Sequence, residues 1–319
     1  MNFYFAPMEG LTGYIYRNAH NTFFNSKINK YFAPFIQANQ SESFKARELN
    51  DLLPEHNEGI SVVPQILTNR AKDFIHTSKK LKALGYKEIN LNLGCPSKTV
   101  VTKNRGSGFL EKTKELDEFL EEIFTSFISE ISIKTRIGIE NEEEFYELLD
   151  IYNKYPIKEL IIHPRLQQDF YQNKPNLAIF EYALNNSTNP VCYNGDICKV
   201  KDYCDLQQRF HNLDTIMIGR GLLANPALVH EITANNRLDK NVLKQFHDKI
   251  YFDYQEILSG DRNVLFKMKE LWFYMITIFT DNEKYTKKIK KSQKLSDYED
   301  AVSRLFQEQE LKNEWVSKD

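Results

Sequence analysis

Cys95 closes the run Asn90-Leu91-Asn92-Leu93-Gly94-Cys95-Pro96, on a turn bracketed by a glycine and a proline. The other cysteines, Cys192, Cys198 and Cys204, form no C-x-x-C pair with it, so neither a disulfide staple nor a metal ligand set accounts for it. A lone thiol on such a turn serves tight packing, the common fate of a free cysteine, or chemistry. Other reactive side chains recur where short apolar runs end. These are Pro7-Met8-Glu9, Gln65, Asn92, Lys134 with Arg136, His163, Asn194-Gly195-Asp196 and Gly219-Arg220. Lys134 stands between apolar Ile133 and Ile137, where a cation is costly unless it meets an anion. An internal acid such as Glu9 or Asp196 is one such anion, and the N1–O2 edge of a reduced flavin is another. His163 reads equally as a core histidine and as a site residue.

The runs that deliver these residues are Phe3–Ala6, Tyr31–Phe35, Ile60–Gln65, Glu88–Asn92, Ile131–Thr135, Glu159–His163, Pro190–Tyr193 and Thr215–Ile218. Most are rich in Ile, Val or aromatics and several lack polar alternation, as strands buried on both faces do. Helical patterns lie between them. One runs from Lys72 to Leu84, a second carries Leu116, Phe119, Leu120, Ile123 and Phe127, and a third starts at Phe145, Leu148 and Leu149. Strand alternating with helix eight times reads as an α/β fold, a (β/α)8 TIM barrel over residues 1–238. An open doubly wound sheet needs a Gly-rich dinucleotide turn. Gly106-Ser107-Gly108 lacks the third glycine and follows no strand directly, which rejects that rival. In such barrels the chemistry sits at the C-terminal strand ends, and the loops after strands seven and eight often hold phosphate. Asn194-Gly195 alone reads equally as an ordinary turn and as phosphate-binding material. Joined to Gly219-Arg220 it favours phosphate, since glycines admit backbone N–H groups and arginine pairs with the oxygens.

After about Leu238 no strand pattern remains. Leu243, Phe246, Ile250, Tyr254 and Ile257 mark one amphipathic helix, and Leu265, Met268, Trp272, Met275, Ile276 and Phe279 a second. Ala301 and Leu305 suggest a third, so residues 239–319 read as a small C-terminal all-helical domain. The chain's 319 residues suffice for both parts. A net charge of −2 gives no global nucleic-acid signature, so any RNA partner must be held by a local patch. No signal peptide or membrane-length apolar stretch is present, and the expected location is the cytoplasm.

At this point the segments match a family. Ala6-Pro7-Met8-Glu9-Gly10, Pro64-Gln65-Ile66, Asn90 to Ser97, Lys134-Thr135-Arg136-Ile137-Gly138, Asn194-Gly195-Asp196 and Ile218-Gly219-Arg220-Gly221 resemble, in order and spacing, the tRNA-dihydrouridine synthases. The cysteine motif is the most specific of these; the glycine loops occur in other flavin barrels. The resemblance implies an FMN-dependent reductase of D-loop uridine in tRNA, with NADPH as electron donor and no stable protein partner or metal. It would place Pro7, Met8 and Glu9 along the flavin, Gln65 and Lys134 at its ring edge, and Asn194, Gly195, Asp196, Gly219 and Arg220 on ribityl and phosphate. Asn92, Arg136 and His163 would lie near flavin and base. Cys95 would be the proton donor, which suits a thiol of ordinary pKa, about 8.5, mostly protonated at neutral pH. The family's loop after the sixth strand usually reads His, a small residue, Arg and Thr. Here it reads His163-Pro164-Arg165-Leu166. A buried base must be turned out of its stack, and Lys284, Lys287, Lys288 and Lys291, which share one helical face, are expected to grip the RNA rather than form a merely solvated face. A flavin reductase of a free pyrimidine, like dihydroorotate dehydrogenase, and a non-catalytic RNA-binding module are the alternatives.

Overall fold

A computed structural model describes residues 1–24, 27–41, 43–126 and 129–312; Phe127, placed by its spacing on a helix, lies outside them. The eight expected runs form strands, two of them in two pieces. They are β1 (Asn2–Phe5), β2 (Ile28–Phe32, then Ile36–Gln37), β3 (Val62–Val63, then Gln65–Leu67), β4 (Glu88–Leu93), β5 (Glu130–Arg136), β6 (Leu160–His163), β7 (Val191–Asn194) and β8 (Thr215–Ile218). Pro64 accounts for the break in β3, because it has no N–H to give to a ladder. Its carbonyl still accepts from the Asn90 amide at 2.9 Å, so pairing continues past it.

That broken strand closes the sheet. Its first piece pairs with β2 (Val62 beside Tyr31) and its second with β4 (Gln65 beside Asn90). The order then runs from β4 through β8 to β1 and back to β2. The result is an eight-fold barrel, and a closed sheet leaves no edge to aggregate. Every residue of β6 and β8 is buried, which is why these runs show no polar alternation.

Side chains alternate along a strand. Tyr4, Ala6, Phe32, Val63, Ile161, Cys192 and Met217 form one buried cluster. Counting by twos from it reaches His163, Asn194 and Gln65. The registers Asn90–Ser132, Asn92–Lys134, Lys134–Ile161 and Arg136–His163 bring polar groups into line toward the C-terminal strand ends. At the opposite end Lys30 lies 2.7 Å from Glu88 and 3.6 Å from Glu159. The Tyr4 hydroxyl donates to Glu159 at 3.2 Å, and burial raises the carboxyl pKa of Glu159.

The chain divides into two compact units. The first is Met1–Pro7, Asn29–Gly195 and Phe210–Met217; the second is Met8–Ile28, Asp196–Arg209 and Ile218–Asp319. The first holds nearly all of the sheet and the helices Ala71–Ala83, Thr113–Thr125 and Glu144–Tyr152, which bury Phe74 and Leu81, then Leu116, Phe119, Leu120 and Ile123, and Phe145 with Leu148 and Leu149. Each such side chain contributes about 1.5–3 kcal/mol.

The second unit is helical. Lys240–Ile257, Asp261–Met275 and Leu295–Glu308 form along the expected apolar stripes, except that Ile276 and Phe279 fall beyond the second helix, and Glu283–Lys291 carries the lysines. Their core centres on Tyr298, whose hydroxyl accepts from Trp272 Nε1 at 2.7 Å and lies 2.6 Å from His247 Nε2. Ile257 departs from the expected apolar face: it is the last residue of its helix and is 50% exposed. Among the described residues no helix is long and apolar enough to cross a membrane.

Candidate active site

In the first unit the chemistry is built around the end of β4. Asn92 Oδ1 accepts from the amides of Gly94 at 3.1 Å and Cys95 at 3.0 Å, an Asx turn that fixes the loop. Its amide nitrogen donates to Gln65 Oε1 at 2.7 Å, Gln65 Nε2 donates to Asn90 Oδ1 at 2.7 Å, and Asn90 Nδ2 donates to Ser132 at 2.9 Å. This relay of side chains runs across three strands inside the barrel. From the other side Ser107 holds the Cys95 carbonyl with its amide at 3.1 Å and its hydroxyl at 3.0 Å. Ser107 can approach because Gly106 has φ +56°, and a Cβ there would stand 2.7 Å from the same carbonyl. Cys95 itself is half-buried, whereas Cys192 and Cys198 are buried. Its thiol therefore sits where packing alone does not require it.

Arg136 also serves this loop. Its Nε donates to the Gly94 carbonyl at 3.0 Å, Nη1 to Leu166 at 2.7 Å and Nη2 to Phe170 at 2.6 Å, and its guanidinium lies 5.6 Å from the Tyr171 ring centre. Burial lowers its pKa to about 10. Of the residues expected near flavin and base, Asn92 Oδ1 and Arg136 Nε thus hold the backbone of the Cys95 loop, while the other two Arg136 nitrogens hold the Leu166 and Phe170 carbonyls.

Lys134 is adjacent to Asn92 in register. Burial first, and Arg136 next, lower its pKa to about 8. His163 Nε2 lies 3.0 Å from Arg165 Nη1. Arginine can only donate, so this imidazole nitrogen accepts and the proton sits on Nδ1. The altered loop is well tied: the Arg165 carbonyl accepts from Ile137, the Pro164 carbonyl from Asn176, and the Leu166 amide donates to Asp169. Pro164 costs no hydrogen bond here, and the Leu166 carbonyl supplies an anchor for Arg136. Asn194 Nδ2 donates to the Met217 carbonyl at 2.8 Å, joining β7 to β8. Gly195 is a close-packing glycine, since a Cβ would stand 2.1 Å from the Tyr193 hydroxyl. Pro7 follows β1 and is half-buried.

In the second unit Met8 donates its amide to Thr12 Oγ1 at 2.9 Å, and Glu9 is exposed. Gly219 is buried and caps the short helix Arg220–Ala224. Arg220 Nη2 meets Asp196 Oδ1 at 2.5 Å, so one arm of the guanidinium is engaged within the protein. Lys287, Lys288 and Lys291 are exposed and line a groove that also holds Asp297 and Asp300. Lys284 lies 3.6 Å from Glu308. Part of the lysine charge is therefore offset locally.

Sequence reasoning singled out neither Ser107, Gly106, Ser132 nor Tyr171. Only Gly106-Ser107-Gly108 carried a signal: a glycine pair too short for a dinucleotide turn, close after a reactive cysteine.

A family model described as dihydrouridine synthase matches residues 4–318. A probable tRNA-dihydrouridine synthase of Staphylococcus aureus is 27% identical over 234 residues, covering 70% of this chain and 69% of that one. The tRNA-dihydrouridine(16) synthase of Haemophilus influenzae is 28% identical over 212 residues, covering 65% of this chain and 64% of its own. Among solved structures, morphinone reductase in complex with tetrahydroNAD aligns over 75% of this chain and 87% of its own, with TM-score 0.52 and 11% identity. Histamine dehydrogenase from Rhizobium sp. 4-9 aligns over 85% of this chain and 49% of its own, with TM-score 0.57 and 12% identity. At such identities these two speak for the fold alone.

Proposed function

This chain belongs to the dihydrouridine synthase family, and from that premise we propose how its residues carry out the reaction. The protein is a flavin-dependent oxidoreductase that reduces the C5–C6 double bond of uridine in tRNA. The observation that carries the mechanism is the double hold on Cys95, by Asn92 from one side and Ser107 from the other, on a half-buried thiol.

The residues present fit a flavin. Lys134 is a half-buried cation late in β5, in register with Asn92, which suits the electron-rich edge of an isoalloxazine ring. Gln65 would share that edge. Asn194, Gly195, Asp196, Gly219 and Arg220 are proposed for ribityl and phosphate, with Pro7, Met8 and Glu9 along the ring. FMN, when bound, supplies the hydride that C6 of the uracil receives. Cys95 gives a proton to C5 from the opposite face, so the double bond becomes two C–H bonds. The sulfur recovers its proton from solvent. Asn92 and Arg136 hold the thiol on its line of approach, a contribution worth far more than its distance suggests when the reacting atoms must meet at about 3–3.5 Å. His163, held by its Arg165 contact, is proposed to lie near flavin and base.

We assign residues 1–238 to catalysis and 239–319 to the RNA, with Lys287, Lys288 and Lys291 as phosphate contacts and Lys284 a weaker one. NADPH is proposed as the electron source, and a cytoplasmic location follows from the substrate. The test is direct. The purified protein with FMN, NADPH and unmodified tRNA should convert uridine to dihydrouridine, read by mass spectrometry as a gain of two hydrogens. Turnover of free uracil or orotate with none on tRNA would contradict the reading, as would failure to take up FMN.

A further inference from the structure

Phe266 is 60% exposed and Phe273 69% exposed, both on the helix Asp261–Met275. Exposed large apolar side chains that gather in a patch mark a binding surface. These two are seven residues apart, so they stand on one face about 10 Å from each other. Arg262 and Lys269 fall on the same stripe by the i, i+4, i+7 rule, opposite the buried Val264, Leu265, Met268, Leu271, Trp272 and Met275. Lys269 Nζ donates to the carbonyl of Ser292, the residue that caps the lysine helix Glu283–Lys291. The stripe therefore adjoins the helix end that bears Lys288, Lys290 and Lys291. Glu270, four residues after Phe266 and three before Phe273, shares this face, and its charge is offset by Lys267 at 3.7 Å.

Two flat apolar rings on one stripe with Arg262 and Lys269, beside a helix end that carries three exposed lysines and with the Glu270 carboxylate offset by Lys267, fit a partner that is anionic and presents flat apolar faces. A second copy of this chain fits poorly, because a two-fold contact would set the cations against each other. We propose that Phe266 and Phe273 are a stacking platform for unpaired bases of the RNA substrate, with Arg262 and Lys269 meeting its backbone. This deepens the tRNA reading above and rests on it. The separation of about 10 Å matches about three base steps of 3.4 Å, so the rings would take two bases of one looped strand rather than adjacent ones.

Phe266→Ala/Phe273→Ala tests this in the full-length holoenzyme, at exposed positions whose truncation leaves the core intact. Its affinity for unmodified tRNA should fall about tenfold or more, with the salt slope unchanged because no phosphate contact is removed. Phe266→Tyr/Phe273→Tyr should bind as the wild type does. Phe266→Leu/Phe273→Leu should bind as weakly as the alanine variant, since leucine keeps apolar area without a π face. Wild-type affinity in the alanine or the leucine variant would overturn the proposal. So would a wild-type dimer in sedimentation that the alanine variant dissolves while tRNA affinity holds. Failure of the wild type to bind or reduce tRNA would instead strike the functional reading itself.

Discussion

Asn92 is a small side chain with two duties: its oxygen fixes the backbone of Cys95 and its nitrogen reaches Gln65. Through it the loop that carries the acid is coupled to the residue proposed for the flavin edge. Lys134 stands beside this pair, half-buried, and bears part of the cost of desolvating its charge. Its folded pKa, about 8, is below the ordinary 10.5, so the unfolded chain holds more protons between those values. Stability of the cofactor-free protein should therefore rise with pH across that window, and the full penalty applies below about pH 8. Lys134→Met should stabilise the cofactor-free protein at pH 7 by on the order of 1–3 kcal/mol, measured by urea unfolding, with the difference vanishing above about pH 10.5. The same variant should bind FMN at least tenfold more weakly in a fluorescence titration. A variant that loses stability and keeps full FMN affinity would show that the lysine serves packing.

At the scale of elements, the barrel was legible in the sequence because its strands are buried on both faces and read as unbroken apolar runs. The split of β3 was not, since it comes from closure around Pro64, where the strand changes partner from β2 to β4. The candidate site was legible as a set of residues at strand ends, but not as a set of duties. Arg136 looks like a ligand-facing cation in sequence, and its carbonyl partners, Leu166 and Phe170, are supplied by a loop some thirty residues on. Ser132 looks like an ordinary strand residue until Asn90 is set beside it. The turn Gly106–Phe109 that packs on the cysteine loop depends on a positive φ at Gly106 and on the absence of a Cβ there. Gly106→Ala should cost about 2 kcal/mol or more, from backbone strain and the clash with the Cys95 carbonyl. It should lower dihydrouridine formation without loss of FMN binding. An unchanged unfolding midpoint and unchanged turnover would remove this turn from the account.

The whole molecule carries a net charge of −2, so tRNA must be drawn to a local cationic surface rather than by the protein's overall field. Lys287→Glu/Lys288→Glu/Lys291→Glu should weaken tRNA binding by more than tenfold and lessen the slope of log affinity against log salt. An unchanged slope would place the phosphate contacts elsewhere. These contacts are proposed to bring the substrate, and the proposed reaction turns on one proton. Cys95→Ala is the most direct test, with FMN bound, the enzyme pre-reduced by NADPH, and dihydrouridine in tRNA counted by mass spectrometry over a single turnover. The account predicts normal FMN content and normal tRNA affinity with product formation slowed about 100-fold or more. Product formed at the wild-type rate would contradict it, because the proton at C5 would then have another source.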